Sequence, residues 1–385
     1  MPWRARGVME ERIEFVVKAA LEGSNLSRLC REYGVSRTTG YLWRCRYKEA
    51  GSWRGLAERS RRPQHRPART EAVVEQRVEE LRRRYGWGGK KLAVLLAVEG
   101  TELSVATVNR ILRRRGLVEP PAGYGRATTR FERAAPNELW QMDFKGQWEI
   151  REGWCYPLTM LDDHRRYLVG LQALLGPEGS AVGACLVRSF EAYGVPGAML
   201  MDHGVPWWST TNEPGLTRVS VGLIRQGIRL YYRGVRHPQT QGKVERLHGT
   251  LKRRLGRQGY PANLAAGARG LKDCRQEYNQ VRSHEARERQ VPARHYEPSR
   301  RAYQPTPRPW EYAPGAAVRR LNTQGCLDYQ QRRYFVCEAL AGERVSLENL
   351  GDKVLVRYQH MYIREINTLS GRTTAVVLPS PHPPL

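Results

Sequence analysis

Three acidic residues, far apart in the chain, have neighbours that let them do chemistry together. Asp143 lies in the alternating stretch LWQMDFKGQWEI, residues 139–150. Asp202 ends the short apolar run GAMLMDHG, and Glu245 sits in HPQTQGKVERLHGTLKRRL, residues 237–255. Carboxylate oxygens suit hard divalent cations, which keep several waters and so leave positions for phosphate oxygens. Two such ions about 4 Å apart activate an attacking water or 3′-hydroxyl and stabilise the departing oxygen. No motif supplies a nucleophilic Ser, Tyr or Cys, which fits direct attack rather than a covalent intermediate.

Each acid needs an element to hold it. The run from about Gly242 reads as a helix: at about 100° per residue, Val244, Leu247, Leu251 and Leu255 form one apolar stripe. Lys243, Arg246, Arg253, Arg254 and Arg257 spread over the opposite side, with Glu245 on the border. Gly249 and Gly256 near its line leave room for a bulky partner. Taken alone this is an ordinary amphipathic helix with a solvated glutamate; only the other two acids give Glu245 a chemical reading. From Leu139 the pattern turns extended, and three successive strands with short turns favour antiparallel pairing. A helix over about 178–192, a strand ending at Asp202, a further strand in GIRLYYRGV and then the Glu245 helix follow. This order predicts a mixed five-stranded sheet flanked by helices, with Asp143 within the first strand and Asp202 at the end of the fourth.

The whole chain has 385 residues, 40% of them hydrophobic, enough for real cores in about two to four domains. Its 64 basic against 38 acidic residues leave a net charge of +26, which points to a polyanionic partner. No run of about 18 apolar residues exists to span a bilayer. The start, MPWRARGVMEER, has no apolar signal core. Nucleic acid is therefore favoured over membrane, and a cytoplasmic, nucleoid-associated location is expected. The seven cysteines are scattered without a C-x-x-C pair, and are read as reduced and structural.

Residues 8–52 read as a helix-turn-helix unit. Ser36 caps its third helix, and Arg37, Thr38, Tyr41 and Arg44 face outward to reach bases and phosphates in a major groove. A basic linker, 53–69, leads to a second such unit at 70–118, with Thr70 and Ser104 as caps. A second linker, 119–135, precedes the central region at 136–300. After a proline-rich linker, 301–315, the short strands of 316–375 predict a small β-barrel.

Several neighbouring residues have plainer readings. Asp162-Asp163-His164-Arg165 reads as the turn between the second and third strands, His237 and His248 as cap or packing residues, and the tryptophans as packing. Trp207 is the best exception, as a base-stacking residue. For Arg246, phosphate contact and a structural ion pair remain equal alternatives.

The blocks Trp140-Gln141-Met142-Asp143-Phe144-Lys145, Asp202-His203-Gly204-Val205-Pro206-Trp207 and His237 to Arg246 (HPQTQGKVER), with Tyr278 to Glu285 (YNQVRSHE) behind them, resemble the insertion-sequence transposases that carry a retroviral-integrase-like catalytic core. The resemblance runs over nearly the whole chain, and its third block is the most specific. It implies a ribonuclease H-like core in which Asp143, Asp202 and Glu245 match the family's Asp-Asp-Glu triad, holding Mg2+, two ions per site, with Mn2+ able to substitute. It further implies strand cleavage at the ends of a mobile element and transfer into target DNA by a homo-oligomer bridging two ends. Lys243 matches a position that touches DNA near the site, and Arg246 and Arg253 follow on the same helix. His203 stands where the family usually has Asn, and His203, Trp207 and His237 are possible accessory residues. The long interval between Asp202 and Glu245 is attributed to the segment WWSTTNEPGLTR, and the retroviral zinc-binding module is missing. The alternatives are a non-catalytic DNA-binding regulator derived from a transposase and a structure-specific nuclease on the same fold.

Overall fold

A computed structural model describes residues 7–58, 70–118, 133–209, 215–232, 242–284 and 290–377. The chain divides into two compact units, 1–70 and 71–385. In the first, helices α1 (Val8–Ala20), α2 (Leu26–Glu32) and α3 (Arg37–Ala50) are followed by one 3-10 turn at Trp53–Leu56. Polar caps mark two of the starts: Asn25 accepts from the Arg28 amide at 3.1 Å, and Ser36 accepts from the Thr39 amide at 3.1 Å. Phe15, Val16, Leu26, Cys30, Trp43 and Leu56 form the core. Gly40 is required there, because a side chain on it would collide with Cys30 Sγ and Phe15. Arg37, Thr38 and Tyr41 are exposed, and Arg44 is half-buried with its guanidinium 6.0 Å from the Tyr41 ring.

The second unit opens with α4 (Ala72–Tyr85), α5 (Gly89–Val98) and α6 (Val105–Arg114). Ser104 caps α6 by accepting from the Thr107 amide at 3.1 Å. The α4 cap falls on Glu71 rather than Thr70 and makes no side-chain bond. The buried Glu75 holds the bundle through Arg114 at 2.8 Å. These helices do not stand apart from the central region. Val281 packs against their core, Arg282 lies 5.9 Å from the Trp87 ring, and the Arg257 guanidinium occupies the space where a Gly86 side chain would be.

The central sheet contains β1 (Trp140–Phe144), β2 (Trp148–Ile150), β3 (Gly153–Asp162), β4 (Leu168–Leu174), β5 (Ala198–Met201) and β8 (Arg229–Tyr232). The first expected strand is broken in two between β1 and β2, at Gly146, whose φ is +84°. Among the described residues, six strands therefore replace the expected five. β3 pairs antiparallel with β1, β2 and β4, while β5 pairs parallel with both β1 and β8. Helices cover both faces. Met142, Leu158 and Met160 pack with α7 (Gly179–Tyr193) and α8 (Arg218–Arg225). Cys155, Leu161, Leu168 and Leu171 pack with Val244, Leu247, Leu251 and Leu255 of α9 (Gly242–Gln258) and with α10 (Leu264–Gln280). The apolar stripe of the Glu245 helix is thus what anchors it to the sheet. Between β5 and α8 the chain forms a small hairpin of β6 (Trp208–Ser209) and β7 (Gly215–Leu216).

The carboxy-terminal strands correct one expectation. Among the described residues, β9 (Ala317–Arg320), β12 (Arg344–Leu350), β13 (Lys353–Tyr358), β14 (Met361–Asn367) and β15 (Thr373–Ala375) form an open antiparallel sheet, and β10 (Cys326–Tyr329) pairs only with β11 (Arg332–Phe335). It is not a closed barrel. A barrel buries its apolar face by closing on itself, whereas here Val345, Val356, Tyr358, Met361 and Ile363 join the core that contains α8 and β8. Arg225 of α8 reaches Tyr358 Oη at 3.2 Å and Glu343 at 2.7 Å, fixing that contact. The count of short strands could not distinguish these outcomes. Among the described residues, no helix is long and apolar enough to cross a membrane.

Candidate active site

Asp143 and Asp202 come together because β1 and β5 are neighbours in parallel. Trp140 pairs with Met199 and Gln141 with Leu200, and the same register carried two residues further sets Asp143 level with Asp202. Adjacent strands lie about 4.8 Å apart, so the two acids share one end of the sheet.

Asp202 is held by its own loop. The Gly204 amide donates to Oδ1 at 3.1 Å, and Trp207 Nε1 donates to Oδ1 at 2.8 Å and to the Asp202 carbonyl at 3.0 Å. The Trp207 ring is 1% exposed and stacks on Phe144, centroids 5.5 Å apart and 13° from parallel. The residue after Asp143 thus braces the indole that fixes Asp202. Trp207 supports an acid and is not available to stack on a base, contrary to expectation. His203 is half-buried against Trp208 and Tyr232.

Asp143 is reached from α9. His248 Nδ1 lies 4.0 Å from Asp143 Oδ2, and His248 Nε2 is 3.0 Å from the Thr159 hydroxyl, which donates to the Asp143 carbonyl at 2.8 Å. Burial, reinforced by Lys145, pushes the His248 imidazole down to about 4, so near neutral pH it faces Asp143 uncharged and the two do not form an ion pair. Glu245 is exposed in the first turn of α9, one turn before His248. Among the described residues, no three His, Cys, Asp or Glu side chains converge closely enough to hold an ion. The structure puts the two aspartates at the same end of the sheet, just past the β1–β5 ladder, and brings the Glu245 helix to Asp143 through His248, without closing the three acids into one ligand set. Their chemistry fits a hard divalent cation: oxygen donors only, with Asp202 Oδ2 left over by the two donors on Oδ1.

Lys243 differs from expectation. Its ammonium does not face outward but turns into the protein, 2.7 Å from Asp163 Oδ2 and 2.7 Å from the Asp163 carbonyl. The cause is a buried carboxylate needing charge: Asp163 is 0% exposed and also accepts from Gln141 Nε2 at 2.7 Å and the Arg133 amide at 3.0 Å. Burial pulls Lys243 below the usual lysine range, and Asp163 opposes that pull. Asp162 accepts the Asn137 and Arg165 amides, both at 2.7 Å, and burial raises it to about 6. The pair closes the β3–β4 turn, as read. Arg246 and Arg253 are exposed on α9, and His237 lies outside the described residues. Sequence reasoning left out Thr159 altogether and took His248 only as a cap or packing residue. Strand alternation could have put Thr159 on the α9 face, but nothing in the sequence names its partner.

Family models match four stretches: a helix-turn-helix domain over residues 11–64, a homeodomain-like domain over 39–112, and an integrase core domain over 133–238 and again over 226–292. Among curated relatives, an uncharacterized 31.7 kDa protein of insertion element IS407 from Burkholderia multivorans (strain ATCC 17616 / 249) is 26% identical over 231 residues, covering 57% of this chain and 79% of the relative. Similar solved structures include the simian T-cell lymphotropic virus intasome in complex with a PP2A regulatory subunit, at 13% identity and TM-score 0.40, covering 78% of this chain and 99% of that one. The HTLV-2 integrase catalytic core in complex with magnesium matches at 14% identity and TM-score 0.33, covering 42% and 99%. The domain matches agree with the resemblance carried by the three acidic blocks: this chain joins helix-turn-helix DNA-binding domains to an integrase core, the make-up of the insertion-sequence transposases.

Proposed function

We propose that the protein is a DNA transposase that binds the ends of a mobile element, cleaves there and transfers the exposed strands into target DNA, using Asp143, Asp202 and Glu245. The observation that supports this is the parallel pairing of β1 with β5, whose register continued past its last pair puts Asp143 level with Asp202, together with the approach of the Glu245 helix to Asp143 through His248. These acids would hold Mg2+, as two ions, with Mn2+ able to replace it. Bound there, the metal supplies Lewis-acid activation of the attacking water or 3′-hydroxyl and stabilises the leaving oxygen. The chain itself does the placing. Gly204 and Trp207 hold Asp202 through Oδ1, and Thr159 and His248 flank Asp143. Arg246 and Arg253 provide phosphate contacts along α9, while Arg37, Thr38, Tyr41 and Arg44 read the element end. Two copies or more bridge the paired ends.

The test is the purified chain with a labelled element end, target DNA and Mg2+ or Mn2+. Joined products should form with the wild type and vanish with Asp202→Ala while end binding persists. Unaltered joining by Asp202→Ala would overturn the reading. End binding without any metal-dependent joining would favour a non-catalytic regulator.

A further inference from the structure

One buried hydroxyl touches both elements that carry the first and third acids. Thr159 lies on β3, is 0% exposed, and pairs directly across from Asp143 of β1. Its Oγ1 is 2.8 Å from the Asp143 carbonyl and 3.0 Å from His248 Nε2 on α9, one turn beyond Glu245. A carbonyl cannot donate, so the single hydroxyl proton serves that contact, and the imidazole must then donate from Nε2. This fixes the ring: Nε2 carries the proton toward Thr159, and Nδ1 is turned toward Asp143 Oδ2 at 4.0 Å. That span is too long for a direct hydrogen bond and suits a single bridging water.

We propose that Thr159 and His248 are positioning residues that tie the helix bearing Glu245 to the strand bearing Asp143 and orient the Asp143 side of the site for a divalent cation. This rests on the metal-dependent reading above. The argument is one of connectivity. The apolar stripe of α9 fixes how deeply the helix packs, but apolar contact is non-directional, and the Lys243–Asp163 pair pins the first turn of α9 to the β3–β4 turn without reaching Asp143. A hydroxyl shared between the Asp143 backbone and the His248 ring has direction. It holds the helix at one axial position over β1 and orients the ring beside the Asp143 carboxylate, as outer-shell partners orient metal ligands elsewhere.

The experiment is Mn2+ titration of the full-length protein by calorimetry, without DNA, alongside metal-free binding to a labelled element end and thermal melting. Thr159→Val keeps the shape and removes the hydroxyl; His248→Phe keeps a ring and removes both nitrogens. Each should weaken Mn2+ affinity by about 10- to 100-fold, leave metal-free DNA binding unchanged, and together cost no more than either alone. Thr159→Ser, which restores the hydroxyl, should restore the affinity. Wild-type Mn2+ affinity in both Thr159→Val and His248→Phe would overturn the proposal, as would additive losses or failure of serine to rescue. Asp143→Asn separates the two levels. If the wild type shows no Asp143-dependent Mn2+ binding, the transposase mechanism itself falls, and the positioning role with it.

Discussion

Asp202 and Glu245 differ in how the fold supports them. Asp202 ends a fully buried strand, and its Oδ1 is held by a backbone amide and an indole that is itself stacked on the residue after Asp143. Glu245 is exposed on a helix whose apolar stripe packs on the sheet, with Lys243 and His248 on either side reaching inward to polar partners. The strand-borne half of the site is placed by sheet register, which a one-residue slip would disrupt entirely. The helix-borne half is placed by a few polar contacts, each removable by one substitution. In such a site, precision on the helix side has to come from tethers.

The largest effect should come from the deepest tether. Lys243→Met strands the buried Asp163 carboxylate, and breaking a buried pair costs about 3–5 kcal/mol. A lower melting temperature by circular dichroism is expected, with much of the loss recovered in Lys243→Met/Asp163→Asn, which removes the uncompensated charge. A single variant that melts like the wild type would show that the α9 tether is not needed. Trp207→Phe tests the other half. It keeps the stack on Phe144 and removes the N–H that reaches Asp202. Strand joining should fall by about 10- to 100-fold, with stability changed less than in Lys243→Met. A reversed ranking in stability would contradict the contrast between register and tethers.

The two halves also differed in how far the sequence disclosed them. Period-two alternation around Asp143, the apolar run ending at Asp202 and the 3.6-residue stripe through Val244 and Leu255 located all three acids on their elements, because burial patterns are local and periodic. What supports them was not legible. Trp207 stood out among the tryptophans only as a base-stacking residue, and its bond to Asp202 depends on a turn geometry that composition does not encode. Lys243 was read as a cation facing DNA, since the charge that draws it inward, Asp163, lies on a distant turn. The carboxy-terminal segment was read correctly as short strands, but whether a short-stranded sheet closes depends on which surface covers it, and that surface was α8 and β8.

Acid should loosen the helical layer in a predictable window. His284 follows α10 and lies edge-on to Tyr278, centroids 4.8 Å apart. Burial, with Arg282, Arg166 and Lys91 nearby, lowers it to about 3. The unfolded chain takes up this proton near pH 6.5 and the folded one does not. Stability from this group is therefore complete above about pH 6.5 and lost as pH falls toward 3, by about 1.4 kcal/mol per unit at most. His284→Phe should flatten the pH dependence of the melting temperature in that window. An unchanged slope would mean that the imidazole is protonated in the folded state.

The smallest effect separates two cations three residues apart on α9. Arg246 is exposed, whereas Lys243 is bonded to Asp163. If outward cations bind phosphate and inward ones tether, Arg246→Ala should lower the slope of log K against log salt for DNA binding by about 0.9, the value for one neutralised phosphate. Charge-removing Lys243→Met, measured below its melting transition, should leave that slope unchanged. Fluorescence anisotropy over a salt series reads both. Equal losses in the two variants would place Lys243 on the DNA after all, which requires it to leave Asp163 when DNA binds; the melting temperature of the Lys243→Met complex would then match that of the wild-type complex, because the tether would already be broken in both.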